Sequence, residues 1–379
     1  MLKSLHIKNF TVFSEETLQF GKNVNVIVGE NGTGKTHLLK AIYAGLAQSH
    51  EHLVEKQKNP RFDGFFDLSG RLNAMLGSET AYSLIRRVKS NQTLTEEDSL
   101  KLDYHFSESS RDFSIEINPY EEDEETSDPS EGIIAENPSY YSVTSPPRTS
   151  VPKEFVLQQP VYLPTRELLS IYPNFLALFD NSHVPFDASW RDACRLLGNP
   201  YRKTLAPPEL LDIQKQIEDA IDGVLRLDDS GRFYHTSSIG KIEMHMLAEG
   251  WRKLGMIAQL VANGSLTPGC ALVWDEPEAN LNPRLVKLVA KIITDLSTAG
   301  IQVFIATHSL FLLRELHILQ KTNSSHLQNR YFGLKREDYG VLVKQGDTMD
   351  YVGELAALDE EVIQAERYID IENGLSPRD

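Results

Sequence analysis

At 379 residues the chain has room for two domains, or for one large α/β domain with insertions. Its 41% hydrophobic and 24% charged residues are those of a soluble globular protein with a sizeable core, which excludes a disordered or fibrous chain. A formal net charge of −16 gives no whole-molecule attraction for nucleic acid, so DNA contact would need a local basic patch or a partner's surface.

Two cysteines, Cys194 and Cys270, stand far apart without metal-type spacing. Cys270 opens an apolar run and reads as a buried free thiol, and both suit a reducing cytoplasm. No apolar run of about 18 residues and no signal-peptide pattern is found, so a cytoplasmic protein with no membrane partner is expected.

The segments LKSLHIKNFTVF (2–13) and ETLQFGKNVNVIVG (16–29) read as β-strands. The second runs into Gly29-Glu30-Asn31-Gly32-Thr33-Gly34-Lys35-Thr36, which fits the phosphate-loop pattern G-x-x-x-x-G-K-[ST]. KTHLLKAIYAGLAQ then places Leu38, Leu39, Ile42 and Leu46 at helical spacing. Strand, Gly-rich loop and helix are thus in the order a triphosphate cradle requires, with inward N–H groups and a positive helix end. The expected nucleotide-binding residues are Glu30, Asn31, Gly32, Thr33, Gly34, Lys35, Thr36 and His37. Lys35 would pair with the β- and γ-phosphates of ATP, and Thr36 would ligate Mg²⁺.

Residues 51–100 are mixed and helical in part, and KLDYHF and DFSIEIN alternate like two arms of an antiparallel hairpin. Residues 118–154 are acidic first and then rich in Ser and Pro, so a mobile insertion loop is expected there. Order returns with a strand around Val161–Leu163. Residues 167–245 then read as largely helical, most clearly in PPELLDIQKQIEDAIDGVL. RYFGLKREDYGVLVKQG suggests a closing hairpin, and 346–379 a helical tail.

Two short apolar strands carry the remaining chemistry. ALVWDEPEANLNP delivers Asp275 to a strand end, where it can hold Mg²⁺ directly or through water, and Glu276 is placed to polarise an attacking water. VFIATHSLF ends in Thr307 and His308 one helix-length later, which puts His308 beside the γ-phosphate. No guanine-reading Asn-Lys-x-Asp is present. Gln158 and Gln159 precede a strand instead of following one, and neither is assigned a role.

The order of phosphate loop, long insertion, DEPEANL and THS resembles the ATP-binding-cassette (ABC) ATPases. Within that class, the LKSLHIKNF opening, DEPEANLNP, ATHS and VYLPTREL are similar to the SMC/RecF/OLD branch, including ATPases of bacterial defence systems. Residues 51–155 match no pattern of that branch. MLAEGWRKLGMIAQLVANG (246–264) sits where the class has its signature, Leu247-Ala248-Glu249-Gly250-Trp251 resembling L-S-G-G-Q. Ala248 replaces the usual serine, leaving Arg252 or Lys253 to supply the missing interaction.

The resemblance implies a P-loop NTPase of ABC ATPase type, α/β, with a mixed sheet, an antiparallel β subdomain and a helical lobe. It is expected as one domain over 1–379. Residues 1–50 and 265–345 would form the nucleotide-binding core, 51–155 an insertion, and 165–264 a helical lobe ending in the signature helix. It further implies an ATP hydrolase using ATP and Mg²⁺, with catalytic Glu276 and His308 and metal-holding Thr36 and Asp275. Ala248, Glu249, Gly250 and Asn280 would reach over to the nucleotide of a second copy in a homodimer or higher homo-oligomer. Implied partners are a separate effector, a nuclease or toxin. The alternatives are a RecF-like DNA-repair ATPase that clamps DNA and, less well matched, the energising subunit of a transporter.

Overall fold

The computed structural model of the chain describes residues 1–59, 67–78, 80–87, 94–118, 141–144, 158–181, 184, 186–204, 206–228, 230–323, 327–353 and 356–373. The first half runs through β1 (Leu2–Phe10), β2 (Phe13–Gln19), β3 (Val24–Gly29), α1 (Lys35–Lys58), α2 (Leu68–Leu76), β4 (Leu100–Phe106), β5 (Phe113–Ile117), β6 (Tyr141–Thr144) and β7 (Val161–Leu163). Then come α3 (Tyr172–Asn181), α4 (Ala188–Leu197), α5 (Pro208–Ala220), β8 (Val224–Leu227), β9 (Phe233–Ser237), β10 (Gly240–Glu243) and α6 (Glu249–Ala262). The chain closes with β11 (Ala271–Asp275), α7 (Pro283–Thr298), β12 (Gln302–Thr307), α8 (Leu310–Asn323), β13 (Arg330–Glu337), β14 (Gly340–Gly346) and α9 (Ala356–Glu372). Two compact units result: Met1–Gln19 with Lys40–Leu157 and Arg336–Leu342, and Phe20–Leu39 with Gln158–Lys335 and Val343–Asp379.

The first unit holds a five-stranded sheet in the order β2-β1-β4-β5-β6, antiparallel throughout. Its strands bury alternate residues: Leu100, Leu102, Tyr104 and Phe106 on β4, and Phe113, Ile115 and Ile117 on β5. A period of two with one buried face is what such a sheet requires. The Tyr104 ring stacks on Phe113, and its hydroxyl donates to the Ala41 carbonyl. Gly45 is required beside it, since a Cβ there would meet the Tyr104 ring at 2.0 Å. The expected hairpin of β4 and β5 is present. Strand β6 falls inside the expected mobile loop 118–154 and pairs with β5, because its short alternation completes a sheet edge. The rest of that loop, 119–140 and 145–154, lies outside the described residues.

The second unit is built on a six-stranded sheet in the order β14-β13-β3-β12-β11-β7, parallel from β13 to β7. Strands β3, β11 and β12 are buried at every position, as strands covered on both faces are. The segment read as one strand over 16–29 is two strands in two different sheets. The chain turns at Gly21, where a Cβ would meet the Gln328 carbonyl oxygen at 2.0 Å. Asn25 grips that turn, accepting from the Gly21 N–H and donating to its carbonyl.

A single apolar cluster joins this sheet to α3–α8. Helix α5 starts with proline at its first turn and buries Leu210, Ile213 and Ile217 along one face. The region 167–245 is less helical than expected: β8, β9 and β10 form a three-stranded antiparallel sheet within it. Asp222 and Gly223 break the helical run with positive φ, and these strands are too short to show a clear period. Helix α1 continues to Lys58, beyond residue 50, where the core was expected to end. Cys194 and Cys270 are buried free thiols, and burial pushes both up to about 12. Among the described residues no helix is long and apolar enough to cross a membrane.

Candidate functional site

Strand register brings the candidate residues to one edge of the parallel sheet. Asp275 pairs across to Ala306, and Thr307 to Val28, so β3, β11 and β12 end level with one another. Ligands of open α/β sheets bind at such carboxyl ends.

From β3 the chain enters the Gly-rich loop. Gly29 cannot carry a side chain, since a Cβ there would lie 2.8 Å from the Leu334 carbonyl oxygen. Gly32 and Gly34 take φ of 79° and 86°, the left-handed region open to glycine. The turn is closed by Thr33, whose hydroxyl donates to the Glu30 carbonyl at 2.8 Å. Glu30, Asn31 and Gly32 are exposed, Thr33 and Lys35 buried, and Gly34, Thr36 and His37 half-buried. The Lys35 ammonium donates to the carbonyls of Gly29 and Glu30 at 2.8 and 2.9 Å. Burial lowers its pKa, opposed by Glu276, Asp275, Glu278 and Glu30.

The loop meets the next strand end directly, with Thr36 Oγ1 donating to Asp275 Oδ2 at 2.8 Å. One residue on, Glu276 has φ of 44°, a strained value for a side chain with a Cβ. Its carboxylate Oε1 lies 3.2 Å from His308 Nδ1. Thr36, Asp275, Glu276 and His308 are therefore brought together as the sequence suggested. Two hard oxygens side by side suit Mg²⁺, which keeps most of its shell for water and phosphate. Among the described residues no group of three or more His, Cys, Asp or Glu side chains is placed to hold a metal ion.

Behind this edge lies a buried polar layer that sequence reasoning missed. Glu278 is 8% exposed, and its Oε1 accepts from Thr307 Oγ1 at 2.5 Å. Its Oε2 is buried with no hydrogen-bond partner among the described residues. Burial pushes the Glu278 carboxyl up, against the Thr307 bond that lowers it. A second acid two residues after Glu276 was the available signal.

The segment 247–251 opens α6, with Ala248 as its N-cap. Ala248 offers no side-chain acceptor and is exposed, Glu249 is half-buried, and Gly250 is buried against Leu281. Asn280, itself left-handed at φ 63°, donates to Glu249 Oε1 at 2.9 Å. Neither basic residue expected to compensate for the missing serine is directed outward. Arg252 pairs with Glu167 at 2.8 Å and donates to the carbonyls of Met244 and Leu247. Lys253 is 1% exposed and donates to the carbonyls of Glu276 and Ala279 at 2.6 and 3.3 Å. Burial lowers the Lys253 ammonium to about 8, opposed most by Glu278. Its inward turn was legible in the spacing: Lys253 shares a helical stripe with Gly250 and Ile257, both buried. Asn282 caps α7 by accepting from the Leu285 N–H at 3.0 Å.

This fold and order of motifs define an ABC-type P-loop ATPase of the SMC/RecF/OLD kind. The chain belongs to the family described as AAA domain, putative AbiEii toxin, Type IV TA system, matched over residues 24–314. It is also 37% identical over 87 residues to the DNA replication and repair protein RecF of Geobacillus kaustophilus (strain HTA426), covering 23% of each chain. The chain thus spans about a quarter of the length of the curated relatives it matches. Two solved structures share its fold. One is an Smc head bound to the C-winged helix domain of ScpA, with TM-score 0.54 and 14% identity over 92% of this chain and 98% of that one. The other is an Smc head with an extended coiled coil bound to the C-terminal domain of ScpA derived from Pyrococcus furiosus. Its TM-score is 0.53 at 12% identity, over 97% of this chain and 99% of that one.

Proposed function

We propose that the chain is a cytoplasmic Mg²⁺-dependent ATPase whose nucleotide site is completed head-to-tail by a second copy. In this reading it serves as the sensor or scaffold ATPase of a toxin–antitoxin-like or anti-phage system and controls a separate effector, a nuclease or toxin. The observation that carries the ATPase reading is the convergence of Thr36, Asp275, Glu276 and His308 at one sheet edge. The family's description as putative AbiEii toxin and Type IV TA system supports the defence role.

Loop N–H groups and Lys35 bind the phosphates, and Thr36 and Asp275 hold Mg²⁺. The ion, when bound, neutralises charge on the phosphates and orients them. Glu276 takes a proton from the attacking water, and His308, within hydrogen-bond reach of Glu276, senses the γ-phosphate. The start of α6 supplies uncapped N–H groups and a positive dipole end to the partner's nucleotide, with Glu249, Gly250 and Asn280 beside it.

The test is Glu276→Gln. Turnover should fall by roughly 10²–10⁴-fold, the span of a general base. ATP should remain bound, and light scattering should show the mass doubled or more with Mg-ATP. Hydrolysis at the wild-type rate would remove Glu276 as the base. The similarity to RecF favours a second reading, a DNA-repair ATPase. Salt-dependent binding of duplex DNA by the purified chain would select that reading over the first.

A further inference from the structure

Lys253 has no role in the reading above, yet it is among the largest fully buried side chains of the molecule. It leaves the first turns of α6 and ends at the turn that follows β11, where its ammonium reaches two carbonyls, those of Glu276 and Ala279. The Glu276 carbonyl also accepts the Ala279 N–H at 3.1 Å, and the Glu276 N–H is held by the Ala306 carbonyl at 2.9 Å. Both peptide groups of Glu276 are therefore tied down, and between them sits a left-handed backbone that a glutamate does not adopt freely. On the far side of the same turn Asn280 is bonded to Glu249, and Gly250 packs on Leu281 with no space for a Cβ. The start of α6 and the turn 275–281 thus touch at three points, of which the Lys253 ammonium is the one that acts on Glu276 itself.

We propose that Lys253 is a positioning residue for Glu276: by holding the carbonyls of Glu276 and Ala279 it fixes the strained turn from which the Glu276 carboxylate projects toward His308. This role rests on Glu276 acting as the base. It makes the α6 start and the Glu276 turn one rigid piece, so a contact at Ala248 is felt at Glu276 within the same chain. A buried ammonium beside a buried carboxyl has a plainer explanation, that Lys253 only neutralises Glu278. The two explanations differ in what a paired neutral substitution does.

The experiment compares wild type, Lys253→Met and the double variant Lys253→Met/Glu278→Gln. It measures steady-state ATP turnover and the affinity for a fluorescent ATP analogue. Loss of alignment of a catalytic group costs on the order of 10²-fold in rate. Both variants should lose about that in kcat while binding the analogue as wild type does. In a Glu276→Gln background, Lys253→Met should slow the residual rate no further, since the two act through one group. Recovery of wild-type turnover in the double variant overturns the proposal in favour of charge neutralisation. So does further slowing in the Glu276→Gln background. Should Lys253→Met alone fail to fold, the double variant, with no buried charge left unpaired, carries the test. If wild-type protein neither binds nor hydrolyses ATP, the ATPase reading itself falls. If wild type turns over and the double variant matches it, only the role of Lys253 falls.

Discussion

In the function proposed, two helix starts in the second unit meet phosphate, and they are built differently. At α1, the Gly-rich loop, Lys35 and Thr36 meet partners from their own chain: loop carbonyls, Asp275 and, one residue further, the Glu276–His308 pair. At α6, the cap is an exposed alanine that makes no side-chain cap hydrogen bond, and both nearby basic residues turn back into the protein. In that function, the first is a half-site furnished with catalytic groups. The second has helix dipole and backbone donors but no catalytic side chain of its own. The difference teaches that a helix N-terminus binds an anion only with what surrounds it, and that α6 gains its surroundings from another molecule in the function proposed.

The strongest way to break this contrast is Ala248→Asp. An aspartate there would cap α6 and raise stability by about 0.5–2 kcal/mol. Yet two like charges about 4 Å apart near a surface repel by about 4 kcal/mol, so phosphate should be expelled and turnover lost. A thermal melt and a turnover assay on the same sample check these opposed signs. A variant that is both more stable and fully active would show that α6 meets no nucleotide.

Thr307→Val probes the buried polar layer behind the strand ends instead. It removes the hydroxyl that donates to buried Glu278 and leaves that carboxyl one hydrogen bond short, a cost of about 1–3 kcal/mol. Urea denaturation should shift accordingly with the m-value unchanged; no shift would mean that the Thr307–Glu278 bond adds nothing to stability. The smallest effect is expected at α7, whose side-chain cap makes it the control for uncapped α6. Asn282→Ala should cost about 1 kcal/mol. An unchanged melting temperature would deny that these caps matter, and with it the stabilisation expected from Ala248→Asp.

The same contrast explains what could be read from residue order. The phosphate loop was legible because its glycines, lysine and threonine are fixed by local geometry within eight residues, with a strand before and a helix after. Asp275 and His308 were legible because the first ends a short apolar strand and the second directly follows one. The break between β2 and β3 was not, since it depends on Gly21 passing close to Gln328, about three hundred residues away in sequence. The β8–β10 sheet was missed because four- and five-residue strands do not establish a period. Arg252 or Lys253 was expected to replace the missing serine contact, whereas Lys253 lies on the buried stripe of α6 and turns inward. Burial of a lysine depends on carbonyls that only the folded turn brings to it.

The measurement that bears most directly on the shared site is complementation between two inactive variants. Lys35→Ala disables the α1 half and Ala248→Asp the α6 half, so neither alone should hydrolyse ATP. In a mixed head-to-tail dimer, one of the two sites combines the unaltered α1 half of one copy with the unaltered α6 half of the other. The account predicts that mixing restores turnover, up to the fraction of mixed dimers formed. A mixture as inactive as its components, in which mixed dimers are shown to form, would contradict it.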